Sequence, residues 1–147
     1  MKKTLSFIVL VTVAALMLTS CSIFFNEEKC IEKLKAAGLI EGTCYLTEEE
    51  CAELTSIENA IITKYMKGDF TVEIVREYML VQDGDQSMRC VFITFATEEQ
   101  AIKYMELYVK MYAESDKPHN KKCARHGCTV VMTNIEVAQK IIPLKFE

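Results

Sequence analysis

The 147-residue sequence has no tryptophan, two histidines, two prolines and five glycines. So little proline and glycine excludes a low-complexity or collagen-like chain. With only two histidines, the chain offers few bases that could activate a serine or cysteine nucleophile. The 17 basic residues are outnumbered by 21 acidic ones and form no basic stripe, so we expect no nucleic-acid partner.

Sequence motifs that carry chemistry are also missing. The chain has no Cys-x-x-Cys pair and no glycine-rich phosphate loop. Acidic runs at residues 48–50 and 98–99 fall in the expected first turns of helices, where the helix dipole favours negative charge. We therefore predict no catalytic residue and no cofactor, and the pattern favours a protein that is not an enzyme.

The first 21 residues have the order of an export signal. Lys2 and Lys3 precede an almost wholly apolar stretch at residues 5–18. The stretch ends at residues 18–21 with the box Leu-Thr-Ser-Cys, and here the segment resembles bacterial lipoprotein precursors. The resemblance implies that residues 1–20 are cleaved and that Cys21 carries the lipid. Because several acyl chains anchor a protein far better than one, a lipidated Cys21 would hold the chain at a membrane.

An uncleaved membrane span is the alternative interpretation. Residues 5–25 carry no charge and are long enough to cross a bilayer. Both interpretations place residues 27–147 outside the cytoplasm, anchored at the cell membrane or the outer membrane. The tether, residues 21–26, is short, so Phe24 and Phe25 either enter the membrane interface or pack on the domain.

Residues 27–147 predict a single α+β domain. Apolar residues recur at helical spacing in four segments, which are residues 28–37, 48–66, 97–112 and 135–142. Capping boxes at Thr47 and Thr97 begin the second and third of these helices, and Asn134 caps the last. Strands are expected at residues 70–81, 89–95 and 128–132, and a first strand is either missing or reduced to residues 43–46. Residues 114–122 are polar and predict a loop.

The first two full-length strands are expected to form a hairpin. Residues 83–84, Asp-Gly, are a strong two-residue turn signal. This turn would pair Ile74 with Ile93 on a core face. It would pair Val75 with Phe92 on the other face, which is mixed in polarity.

Residues 89–95, followed by residues 96–105, resemble the third strand and second helix of an RNA-recognition motif. The resemblance implies a ferredoxin-like strand–helix–strand unit. The glycines of that motif are absent and Phe92 alone would supply its stacking aromatics, so no RNA binding is implied. The expected fold is a small antiparallel sheet of three or four strands with helices packed mainly on one face.

Seven cysteines become six if Cys21 carries a lipid. An even number suits three disulfides in an oxidising compartment. Cys123 and Cys128 are spaced for a bond that closes a small loop. The sequence does not choose among the pairings of the other four, which are Cys30, Cys44, Cys51 and Cys90. In a compartment that does not oxidise thiols, all six would instead be buried as small apolar side chains.

Four side chains near the C-terminus are of the types that bind zinc. They are His119, Cys123, His126 and Cys128. Their spacing does not match a pair of zinc knuckles, so we predict no metal site there. A small metal-binding or thiol-dependent protein or enzyme that uses residues 119–128 is kept as the alternative function.

The first functional hypothesis is a lipid-anchored extracytoplasmic accessory or binding domain. It would contact a partner protein at the membrane surface. One candidate contact surface is the mixed face of the hairpin, made of Val75, Met79, Met88 and Phe92. Another is the stripe of Tyr104, Tyr108 and Tyr112, although a stripe with this spacing is more typical of packing against the sheet.

Overall fold

A computed structural model describes residues 25–113 and 121–147. The predicted signal peptide, Cys21 and His119 lie outside the described residues. Within the described segments, no helix is both long enough and apolar enough to cross a bilayer.

The described residues form four helices and five strands. The helices are α1 (Glu27–Ala36), α2 (Glu48–Lys64), α3 (Glu98–Ala113) and α4 (Glu136–Ile141). The strands are β1 (Leu39–Glu41), β2 (Ile74–Gln82), β3 (Asp85–Phe95), β4 (Lys122–His126) and β5 (Thr129–Thr133). The predicted α+β class is confirmed, and the sheet is slightly larger than the three or four strands expected. The first strand lies at β1, and within the expected residues 43–46 Tyr45 forms an isolated antiparallel bridge with Glu77 of β2.

All five strands form one antiparallel sheet in the order β1-β2-β3-β5-β4. Both β3 and β4 pair antiparallel with β5, so β3 and β4 run parallel with β5 between them. Helix α3 connects β3 to β4, two strands that are not neighbours in the sheet. This crossover corresponds to the predicted ferredoxin-like strand–helix–strand unit.

Helices cover both faces of the sheet, two on each, rather than mainly one face. Helices α1 and α4 pack with Tyr78 and Phe92. Helices α2 and α3 pack with Met79 and Ile93 on the opposite face. The reason is visible in the strands, because residues 78–81 are continuously buried and a strand covered on both faces needs apolar side chains in both directions.

The β2–β3 hairpin turns where predicted, but its register differs. Residues 83 and 84 both have positive φ, 52° and 74°, as a type I′ turn requires. Beside the turn Gln82 faces Asp85, but an irregularity then shifts the pairing so that Tyr78 faces Phe92 instead of Arg89. This displacement is an odd number of residues, so it moves Tyr78 to the face opposite the one predicted.

The predicted separation of Phe92 from Ile74, Ile93 and Phe95 is confirmed. Phe92 belongs to the cluster under α1 and α4, and the other three belong to the cluster under α2 and α3. The predicted pairing of Val75 with Phe92 is wrong. Val75 lies at a second irregularity, between Ile74 and Arg76, and is 47% exposed.

Two predicted caps serve partly as links between elements. The Thr97 hydroxyl accepts from the Gln100 amide, as in a capping box, but the Gln100 side chain accepts from the Glu73 amide beside β2. Asn134 does not cap α4. Its side chain accepts from the Arg89 amide and donates to the Ser87 carbonyl, which joins the end of β5 to β3.

The capping box that begins α2 is confirmed in full. The Thr47 hydroxyl accepts from the Glu50 amide, and the Glu50 carboxylate accepts from the Thr47 amide. The same carboxylate accepts from the Leu46 amide. These bonds satisfy backbone donors that the first helical turn leaves without partners.

We expect Thr47→Ala to lower the free energy of unfolding by about 1 kcal/mol, since the Glu50 amide loses its acceptor. Thr47→Ser keeps the hydroxyl and should stay within a few tenths of a kcal/mol of the parent. Urea unfolding at pH 7 measures both values. Equal losses for the alanine and serine variants would contradict the role assigned to the hydroxyl.

Candidate binding cleft

None of the six cysteines beyond Cys21 forms a disulfide. Cys30, Cys44, Cys51, Cys90, Cys123 and Cys128 are all free, and only Cys44 and Cys128 are not fully buried. Burial raises the pKa of the Cys90 thiol to about 12 and that of Cys123 to about 11. Both thiols therefore stay protonated at neutral pH and pack as small apolar groups. The expected disulfides are corrected to the alternative, in which the cysteines serve packing.

The β4–β5 hairpin explains why Cys123 and Cys128 are not bonded. Strand pairing sets Cys123 opposite Met132 and His126 opposite Thr129, with Cys128 in the turn. Three residues of strand, about 10 Å, therefore separate Cys123 from the turn, whereas a disulfide needs Cα atoms within about 7 Å. The predicted clasp is wrong because backbone pairing closes this loop.

The side chains of the alternative metal site are not assembled among the described residues. His119 lies outside them, and the described part of the chain contains no group of three or more His, Cys, Asp or Glu side chains placed to hold a metal. The His126 ring packs on Phe25, with ring centroids 5.0 Å apart. Of the two expectations for Phe25, the structure therefore has the one in which it packs on the domain.

The four residues expected to form a contact surface on the hairpin do not lie together. Phe92 is fully buried under α1 and α4, and Met88 packs at the edge of the same cluster. Met79 is buried on the opposite face under α2 and α3. Val75 is the one member of the four that is exposed to solvent. The register shift in β2 separates them, because it reverses which β2 side chains share a face with Phe92.

A cleft of about 430 Å³ opens between α2 and α3, with β2, β3 and β5 as its floor. Its volume falls in the range of small-molecule sites, about 300–1,000 Å³. One wall is the predicted tyrosine stripe of α3. Tyr104 is 4% exposed and packs on Phe95, with ring centroids 4.9 Å apart. The stripe therefore packs against the sheet, as expected, and its outer members continue along the cleft.

Two carboxyl groups lie in the cleft. Glu77 is only 7% exposed, and no hydrogen bond joins its carboxyl to another described residue. Burial raises the pKa of Glu77 to about 7, the charge of Glu58 adds to this and that of Arg89 opposes it. Glu58 accepts a hydrogen bond from the Tyr104 hydroxyl at 3.1 Å. Burial also raises the pKa of Glu58, although this bond and Arg89 oppose the shift.

Basic groups lie at the rim of the same cleft. Arg89 is exposed and, within the described residues, has no carboxylate within 4 Å of its guanidinium. The Lys121 ammonium donates to the Tyr112 hydroxyl at 2.9 Å. Although burial opposes it, the hydrogen bonds from Lys121 and Tyr108 lower the pKa of Tyr112. Burial and the neighbouring Tyr112 raise the pKa of Tyr108 far above its usual range.

The sequence pattern did not identify Glu77, Glu58 or Arg89 as site residues. Glu77 begins the buried run of β2, residues 77–81, and a charged residue next to four apolar or aromatic ones is the one signal available. Most such residues face solvent at a strand end, so the signal becomes specific only when α2 and α3 cover this face.

No protein-family model, no characterised protein sequence and no solved structure matches this chain.

Proposed function

We propose that the chain is a lipid-anchored, extracytoplasmic binding domain whose cleft between α2 and α3 takes up a small ligand. The observation that supports this most directly is the Glu77 carboxyl, which lies at the floor of an open cleft and makes no hydrogen bond to another described residue. Because Glu77 is only 7% exposed, its carboxyl has lost part of its hydration without gaining a donor among the described residues, and this costs free energy. A ligand that supplies the missing donor would recover this cost on binding.

The anchor proposal depends on residues 18–21 and on the start of the domain. Only three residues lie between Cys21 and Phe25, which packs against His126. The four Cα–Cα steps from Cys21 to Phe25 span about 14 Å at most. A lipid on Cys21 would therefore hold the domain close to the membrane surface, where it could present a ligand to a partner protein.

The test is to isolate the protein from membranes, after expression of its full sequence, and to analyse it by native mass spectrometry. We expect a small molecule to remain bound to the parent protein. Ile61→Trp should remove that molecule, because Ile61 lines the cleft and is partly exposed, so the larger ring fills the ligand volume. Ile57→Trp is the matched control, since Ile57 is 46% exposed on the same helix and does not line the cleft.

A bound molecule retained by Ile61→Trp, or lost from both tryptophan variants, would contradict binding in the cleft. A parent protein without any bound molecule, even after mild extraction from membranes, would also count against the proposal.

A further inference from the structure

We propose that the ligand of this cleft is a small zwitterion of the amino-acid or short-peptide type, with its ammonium at Glu77 and its carboxylate at Arg89. The inference rests on the proposed function and adds the chemical class of the ligand. It follows from two features of the cleft. Glu77 and Arg89 carry opposite charges at separate places in it, and aromatic and apolar side chains line the space between them.

The acidic end of the cleft suits an ammonium group. Glu77 lacks a partner, and Glu58 lies close enough for its charge to raise the pKa of Glu77. Two neighbouring carboxyls in a buried site repel when both are ionised, and a cation placed between them relieves that repulsion.

The basic end of the cleft argues against a simple cation as the ligand. Arg89 and Lys121 both line the cleft, and a purely cationic ligand would meet their charge. Arg89 has no ion pair among the described residues, so its planar guanidinium can receive a carboxylate in two parallel hydrogen bonds. A ligand with both charges satisfies both ends.

The spacing along the sheet favours a ligand longer than one amino acid. Glu77 pairs with Ile93, and Arg89 lies four residues further along β3, about 13 Å between Cα atoms. No ion pair closes this gap. The two side chains shorten this distance between their charged groups, since the charge of Arg89 acts on Glu77. An extended dipeptide, which spans about 7 Å, suits the shorter distance.

The middle of the cleft accepts apolar side chains of varied shape. Four methionines line it: Met66 just after α2, Met79 on β2, Met111 on α3 and Met132 on β5. Methionine side chains are flexible and polarizable, and they adapt to differently shaped apolar groups. The site should therefore be selective for the two termini and tolerant of the side chains.

The titratable and charged groups that face Glu77 come from every surrounding element. They are Cys44 and Tyr45 before α2, Cys51, Glu58 and Tyr65 on and after α2, Arg89 on β3, Tyr104, Tyr108 and Tyr112 on α3, and Lys121 before β4. Among these, Glu58 is the one carboxyl, and its charge raises the pKa of Glu77. Binding of the ammonium should therefore strengthen as Glu77 ionises between pH 6 and pH 8, a window centred on its pKa of about 7.

The test uses the full-length protein in detergent, with EDTA, and three probes in isothermal titration calorimetry. The probes are the dipeptide alanyl-phenylalanine, its N-acetyl derivative and its C-terminal amide. We expect the free dipeptide to bind and each derivative to bind about tenfold or more weakly, because each removes one charge-assisted contact.

Variants assign each charge to its side chain. Glu77→Gln should abolish the preference for a free ammonium and keep the preference for a free carboxylate. Arg89→Met should do the reverse. Lys33→Met, an exposed cation on α1 outside the cleft, should bind all three probes as the parent does.

Equal binding of all three probes to the parent protein would overturn the proposal, as would equal weakening of all probes in both cleft variants. Absence of binding by every probe would also overturn it. If the native mass spectra still showed a molecule that Ile61→Trp displaces, the binding function would stand and only the ligand class would fail.

Discussion

Glu77→Gln is expected to stabilise the fold by about 3 kcal/mol at pH 8 and to change it little near pH 4. Burial raises the pKa of Glu77 from 4.5 to about 7, and each unit of difference is about 1.4 kcal/mol. Gln has nearly the same shape and never ionises, so it removes the cost of a buried negative charge. Under the proposed function the same substitution would lower ligand affinity, an exchange of function for stability that is common at binding sites.

The sign follows from comparing protons bound in the two states. Below pH 4.5 the carboxyl is protonated in both the folded and the unfolded chain, so it adds no penalty. Between pH 4.5 and about 7 the unfolded chain ionises first while the folded protein keeps its proton, so stability falls as the pH rises. Above about pH 7 both states are ionised and the full penalty is present.

Urea unfolding of the parent and variant at pH 4.5, 6, 7 and 8 measures this dependence. Glu73→Gln is the control, because Glu73 is an exposed carboxyl beside the same strand. The difference between Glu77→Gln and the parent should grow with pH, whereas the difference for Glu73→Gln should stay small. A constant difference across the pH range, or a destabilised Glu77→Gln, would show that Glu77 is not a buried carboxyl of raised pKa.

Cys21→Ser is expected to abolish incorporation of fatty acid into the protein and to leave its signal segment uncleaved. In the proposed anchor the lipid is attached through the Cys21 thiol, and a serine hydroxyl cannot take its place. Attachment to the membrane is a poor measurement here, because the uncleaved residues 5–25 can span a bilayer by themselves. Metabolic labelling with radioactive palmitate, together with the intact mass, gives the answer directly.

Cys128→Ser is the matched control for the anchor, since Cys128 is a partly exposed thiol of the domain. It should label and be processed as the parent is. Undiminished label in Cys21→Ser, or equal loss of label in both variants, would reject Cys21 as the lipid-bearing residue and favour the uncleaved span.

Features that depend on a few neighbouring residues were predictable from the sequence. The Thr47 capping box and the turn at residues 83–84 form as expected. In the capping box a hydroxyl and a carboxylate bind amides within four residues, and in the turn a glycine permits the positive φ that the backbone needs. The α+β class was predictable for a similar reason, since apolar periodicity distinguishes α2 and α3 from β2 and β3.

Features that depend on pairing between distant segments were not predictable. Irregularities at both ends of β2 shift its register, and neither carries a proline or glycine signal. Strand β4 is short and contains Lys122, Arg125 and His126, so its pattern resembles a polar loop. It becomes a strand because β5 supplies backbone partners that the isolated segment lacks.

The sequence was enough to predict the export signal and the candidate lipid site at Cys21, and it specified the local ends of α2 and of the hairpin. Only the tertiary structure decided which face of β2 is buried, and this placed Glu77 beneath α2 and α3 instead of at a solvent-exposed strand end. The physical reason is that a carboxyl's character depends on what surrounds it. Desolvation and the nearby charges of Glu58 and Arg89 make Glu77 a candidate ligand-binding group, and those neighbours come together only when distant elements pack.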